Sequence, residues 1–228
     1  MIYAIKHRKV DRAIFKGNED SFTSSIFERL MYLPLELTQQ ILETALLDLT
    51  IDLDLHKTES IEYWPNWSAE NTTNKNRVEP DIFIRTKKFD IIIEAKRHDK
   101  NSQHKGQWVN ELQSYFNEYA VDEKEVIYIA LGGIRKFCNE SISINDKNLV
   151  IHKCYWSSIL ESVKTLSYKM VLTKDLTSQN SANSKILEDI ILCFSLFGFS
   201  TADWLEYLPK TKYINEKSLR DIKKLEKL

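Results

Sequence analysis

Apolar residues recur at Phe22, Ile26, Leu30 and Leu33 behind Asn18-Glu19-Asp20-Ser21. That is helical spacing with a polar helix start in front of it. Pro34 interrupts the run, and Leu37, Ile41, Ala45 and Leu49 predict a second helix over Leu35–Leu49. Ile61–Trp67 is aromatic and reads as a strand weakened by Pro65. Two β-rich runs, DIFIR and FDIIIEAK, flank Thr86-Lys87-Lys88 and predict a hairpin over Asp81–Lys96. A helix follows over Gln103–Tyr119. The continuous apolar run Val126–Leu131, ended by Gly132-Gly133, predicts a buried strand. Leu149–Tyr155 reads as a further strand, and Ser157–Val163, Ile186–Phe197 and Lys217–Leu228 read as helices. The order predicts a mixed α/β layout: a mixed sheet flanked by helices, with a C-terminal helical extension.

Charge changes this picture only locally. Lys plus Arg is 32 and Asp plus Glu is 33, which excludes a globally basic nucleic-acid binder and a highly charged disordered chain. The net −1 hides an acidic stretch from Glu36 to Glu62 and a basic tail from Tyr207 to Leu228. Cys138, Cys154 and Cys193 are far apart and form no metal-spacing cluster; they read as small core residues in a reducing cytoplasm. The charged N-terminus does not read as a signal peptide, and Ile190–Phe199 is too short to span a bilayer. With 228 residues the chain is expected to form a single domain over 1–228, its core at about 15–170 and its helical extension at 171–228.

The hairpin carries the chemistry. Alternation puts Asp90, Ile92, Glu94 and Lys96 on one face of the second strand. A two-residue turn at Lys87-Lys88 sets Asp81 directly opposite Glu94 on that face. Lys-Lys is not a favoured hairpin dipeptide, so the turn geometry stays open. Two carboxylates this close repel each other, and a divalent cation between them removes the conflict. Carboxylate oxygens suit Mg²⁺, with Mn²⁺ as a substitute. Lys96, beside Glu94, adds an ammonium that can hold a phosphate oxygen or position a water. Together these are the parts of metal-assisted phosphodiester hydrolysis.

Glu79-Pro80-Asp81 followed by Glu94-Ala95-Lys96 resembles the PD-(D/E)XK motif of the restriction-endonuclease-like nuclease superfamily. The predicted order from about Asp20 to Val163 is similar to that family's core. The resemblance implies a Mg²⁺-dependent endonuclease, a hydrolase acting on DNA. Asp81 and Glu94 would bind the metal, the Ala95 carbonyl would add a ligand, and Lys96 would assist the attacking water. An acid on the first helix is expected to complete the site. Glu19 is the candidate, with Glu28 behind it because Glu28 lies off the apolar stripe. A glutamine on the following helix is expected to orient Lys96 or the phosphate. Gln107 fits best, with Glu111 one turn on along the same face and Gln103 and Gln113 less well placed.

Arg97, Lys100 and Lys105 leave the same strand and are candidates for phosphate contact. Tyr63, Trp64, Trp67, Trp108 and Tyr115 read as packing rather than base-stacking residues. His98 and His104 lack metal-pair spacing. By analogy, a compact nuclease of this kind serves anti-phage defence or a mobile element, with specificity from a homodimer or from a partner ATPase or recognition subunit. No membrane partner is expected, and nothing in these residues excludes RNA. The competing expectations are a catalytically silent protein of the same fold that binds nucleic acid or a partner, and a helical interaction module.

Overall fold

The computed structural model describes residues 18–47, 52–100, 102–136, 138–172 and 178–201. The charged N-terminus and the basic tail with its Lys217–Leu228 helix lie outside the described residues. Helix α1 (Glu19–Leu30) starts where Asn18 accepts the Ser21 N–H at 3.0 Å, and it carries Glu19 and Asp20 in its first turn, where acids suit the helix dipole. Its stripe of Phe22, Ile26 and Leu30 is fully buried. Helix α2 (Leu35–Ala45) starts behind Pro34. It stops at Ala45, short of Leu49, because Leu46 turns extended and bridges Cys154 of the sheet.

Eight strands follow among the described residues: β1 (Thr58–Tyr63), β2 (Trp67–Ser68), β3 (Arg77–Val78), β4 (Ile82–Thr86), β5 (Phe89–Ala95), β6 (Glu125–Leu131), β7 (Glu140–Ile144) and β8 (Lys147–Cys154). Helix α3 (Lys105–Tyr119) connects β5 to β6, and α4 (Trp156–Leu172) and α5 (Ser178–Leu196) follow β8. Six strands form one sheet in the order β1-β4-β5-β6-β8-β7, while β2 and β3 form a separate ribbon. The β5–β6 and β6–β8 pairs are parallel and the others antiparallel, so the sheet is mixed and flanked by helices, as the α/β reading requires.

Each face has its own core. On one side Ile91, Ile93, Ile127, Ile129 and Leu131 meet α1, α2, α4 and α5 around Phe22, Trp156 and Phe194. On the other side Phe83, Ile92, Tyr128 and Ala130 meet α3 through Trp108, Leu112 and Tyr115. Burial on both faces explains why β6 reads as an unbroken apolar run. Helix α5 contributes Leu187, Ile190, Cys193 and Phe194 to the first core, so it is packed into the body of the fold.

Five local features differ from expectation. The first strand ends at Tyr63 and not Trp67, because Trp64 takes a left-handed φ of 49° ahead of Pro65 and the chain restarts as β2. The helix expected at Ser157–Val163 runs on to Leu172, and that expected at Ile186–Phe197 begins at Ser178. Strand β7 escapes the sequence reading. It joins β8 through Asn145-Asp146, both at positive φ, the backbone that a two-residue hairpin turn needs. Cys138 is exposed, unlike the buried Cys154 and Cys193.

Candidate active site

The hairpin register is the one that brings the two acids together. Ile82 pairs with Ile93 and Arg85 with Asp90, so the next step outward sets Asp81 beside Glu94. The Lys87-Lys88 turn holds because Thr86 accepts the Phe89 N–H at 2.9 Å through its hydroxyl oxygen, a local side-chain closure that replaces a favoured turn dipeptide. Asp81 is fixed from two sides. Its Oδ2 accepts the Ala95 N–H at 2.8 Å, and its Oδ1 accepts the Trp64 indole N–H at 3.1 Å. The left-handed turn at Trp64 aims that indole, and the Trp64 N–H also donates to the Asp81 carbonyl at 3.0 Å.

Glu94 lies at the end of β5, facing α3, and is only 2% exposed. Its Oε1 accepts from Lys96 Nζ and, at 2.6 Å, from the Gln107 amide. Lys96 Nζ also reaches Glu19 Oε1 at 3.3 Å, and Glu19 Oε2 accepts the Arg97 N–H at 2.9 Å. The predicted set Asp81, Glu94, Lys96, Glu19 and Gln107 therefore meets at one place, drawn from α1, the β4–β5 hairpin and the first turn of α3. They line an open cleft of about 530 Å³ together with Asp20, Trp64 and Glu79. Gln107 holds Glu94 and not Lys96. Glu28 is exposed and does not line the cleft, nor do Arg97, Lys100 and Lys105.

The electrostatics follow from burial. Asp81 is pushed up to about 7 by desolvation first and by the Glu94 charge second. Glu94 is raised well above the ordinary carboxylate range by burial and by Glu111. Glu111, buried behind Glu94, is pushed up to about 7 by burial although Tyr128 donates to its Oε2 at 2.6 Å. Burial alone would lower the Lys96 ammonium, but Glu94, Glu19 and Asp81 more than offset it and keep the lysine charged. A solvated strand pair is therefore not what these acids form.

Several residues of the site had no role in the sequence reading. The Trp156 indole donates to the Lys96 carbonyl at 2.7 Å, and Lys96 N donates to the Leu131 carbonyl at 2.8 Å. Gly132, at φ 66°, closes this clamp: a Cβ there would stand 2.3 Å from the Lys96 carbonyl oxygen. The Gly132-Gly133 pair was the visible signal. Gln103 donates to the Glu94 carbonyl at 3.0 Å and to the Leu131 carbonyl at 3.3 Å, so it braces the strand ends rather than the cleft. Nothing in the pattern marked Trp64 as a partner of Asp81.

Among the described residues, no three His, Cys, Asp or Glu side chains are gathered as a ready-made metal cage. Asp81 and Glu94 form a two-carboxylate set whose mutual repulsion a divalent cation would relieve, so the donor chemistry fits a hard cation. No helix among the described residues is long and apolar enough to cross a membrane.

Fold and site define an α/β protein with paired buried carboxylates and a charged lysine at the mouth of a cleft. The chain is 30% identical over 211 residues to the uncharacterized protein PM0110 of Pasteurella multocida (strain Pm70), covering 88% of this chain and 78% of that protein. The chain belongs to the family of that protein. No family model matches it.

Proposed function

We propose that the protein is a metal-dependent endonuclease of the restriction-endonuclease-like, PD-(D/E)XK kind, hydrolysing phosphodiester bonds in DNA. The observation that carries this reading is the meeting of Asp81, Glu94 and a charged Lys96 on one open cleft. Asp81, Glu94 and the Ala95 carbonyl would hold a Mg²⁺ ion, or Mn²⁺ in its place. When bound, it supplies Lewis acidity and lowers the pKa of a water. Glu19 anchors Lys96 from the opposite side.

The water oxygen bonds to phosphorus, the bond from phosphorus to the leaving sugar oxygen breaks, the water proton passes to solvent, and the leaving oxygen is protonated from solvent. Lys96, ion-paired with Glu94 and Glu19, offers an ammonium that stabilises the developing phosphorane charge. Gln107 and Tyr128, the latter through Glu111, keep Glu94 in place at the strand end. Genome defence in the cytoplasm, with a homodimer or an ATPase partner supplying specificity, is the setting we propose for this activity.

The test is supercoiled plasmid incubated with wild type and Glu94→Gln, with Mg²⁺ and with chelator. Nicking that requires both Mg²⁺ and Glu94 is the expected result. Binding without cutting under every condition makes the protein a silent nucleic-acid binder and overturns the catalytic reading.

A further inference from the structure

A second cavity of about 480 Å³ opens beside the cleft. Asn74, Arg77, Gly106 and Asn110 contribute to its wall, and Glu79 and Gln107 belong to both cavities. The two are therefore neighbouring stations on one surface, not separate holes. The outer wall is the β2–β3 ribbon with its connecting loop, and it is pinned to α3. Asn110 Oδ1 accepts the Thr73 N–H at 3.1 Å, and its amide donates to Thr73 Oγ1 at 2.8 Å and to Asn74 Oδ1 at 3.1 Å. Asn74 in turn donates to the Arg77 carbonyl at 3.0 Å, and the Ser68 N–H donates to Glu118 at 2.8 Å. The cavity is preformed, as ligand sites usually are.

Two wall features suit a polyanion. Arg77 is more than half exposed, and its ion pair is with the exposed Glu79 at 3.0 Å, a contact weak enough to give way to a phosphate. Gly106, in the first turn of α3, has no atom within 4 Å of the place where a Cβ would stand. Packing does not demand a glycine there, and its absent side chain leaves the cavity open.

We propose that this cavity seats the nucleotide flanking the scissile phosphate, with Arg77 on that nucleotide's own phosphate. The proposal rests on the nucleic-acid reading of the cleft and adds where the strand runs: from the Asp81–Glu94 site across Glu79 and Gln107 toward the ribbon.

The test is fluorescence anisotropy of a labelled 14-bp DNA duplex, titrated at several salt concentrations with Ca²⁺ replacing Mg²⁺. Arg77→Ala is expected to weaken binding by about 5–10-fold and to flatten the slope of log affinity against log salt by about 0.9, the signature of one lost phosphate contact. Gly106→Trp, which fills the cavity, is expected to weaken binding at least about tenfold, a change of about 1.4 kcal/mol. Lys87→Ala, an equal charge change at the far end of the hairpin, should bind as wild type does. An unchanged salt slope in Arg77→Ala, or wild-type affinity in a folded Gly106→Trp, overturns the proposal. If Gly106→Trp does not fold by circular dichroism, the Arg77 slope decides alone. Plasmid cutting in Mg²⁺ separates the two readings. Wild type that binds through Arg77 without cutting sinks the catalytic reading and leaves the cavity site standing. Wild type that cuts, with both variants binding normally, sinks the cavity site alone. Wild type that neither binds nor cuts sinks both.

Discussion

Strand β5 carries two buried acids on one face, four residues apart, and they live under opposite conditions. Asp90, fully buried, accepts from Arg85 through both oxygens at 3.1 and 3.0 Å and from the Tyr115 hydroxyl at 3.1 Å, with Lys124 at 3.8 Å. Cations and donors outnumber it. Glu94 has one ammonium and one amide against two further buried acids, Asp81 and Glu111. The same residue chemistry thus serves cohesion at one end of the strand and stored repulsion at the other. The clustered acids in the cleft are the ones the endonuclease reading proposed above draws on, whereas the saturated ion pair at Asp90 is structural.

Exchanging the two roles by mutation is the direct way to break this contrast. Glu94→Gln should lower plasmid nicking by at least about a thousandfold, some 4 kcal/mol of transition-state stabilisation, while the melting temperature holds or rises. A stability loss with activity intact would reverse the assignment. Asp90→Ala should do the opposite. Leaving Arg85 and Tyr115 without their buried partner costs about 3 kcal/mol of folding stability in denaturant titration, with the activity per folded molecule kept. Equal stability in wild type and variant would show that the Asp90 network is not what ties β5 to α3.

A subtler separation uses pH. Asp81 has a folded-state value of about 7 against an ordinary 3.8, so the native state takes up its proton more readily than the unfolded chain does. That contribution to stability is fully present below about pH 4 and is lost as pH rises through 7. Without divalent cations, the wild-type melting temperature should therefore fall from pH 4 to pH 7 more steeply than that of Asp81→Asn, and Mg²⁺ should flatten the wild-type curve. Parallel curves would mean that burial and the Glu94 charge do not hold Asp81 up near 7. The smallest expected effect is that of Tyr128→Phe, which removes one donor to Glu111. It should cost about 1 kcal/mol of stability and slow nicking only a few-fold. A complete loss of activity would give Tyr128 a direct role.

Much of this was readable from the chain. Period-two alternation and the two-residue turn placed Asp81 against Glu94, and the helical phase of α3 put Gln107 and Glu111 on one face toward the strand end. The sequence could not show what fixes these groups from outside their own elements. Trp64 reaches Asp81 because its backbone turns left-handed before Pro65, and Trp156 reaches the Lys96 carbonyl from a distant helix; neither follows from periodicity. Strand β7 was missed although Ile142 and Ile144 alternate and Asn145-Asp146 suits a tight turn, because five residues with three polar positions give too weak a pattern. Arg97, Lys100 and Lys105 follow the motif in sequence but do not line the cleft, so a phosphate they contact would lie beyond its rim.

The indole of Trp64 touches the carboxylate whose charge the site is built around. Protonation of Asp81, or a cation settling on it, changes the electric field along that ring's N–H bond. The protein therefore carries its own optical gauge: the ultraviolet emission of Trp64 should shift as the site fills and empties, with no label attached.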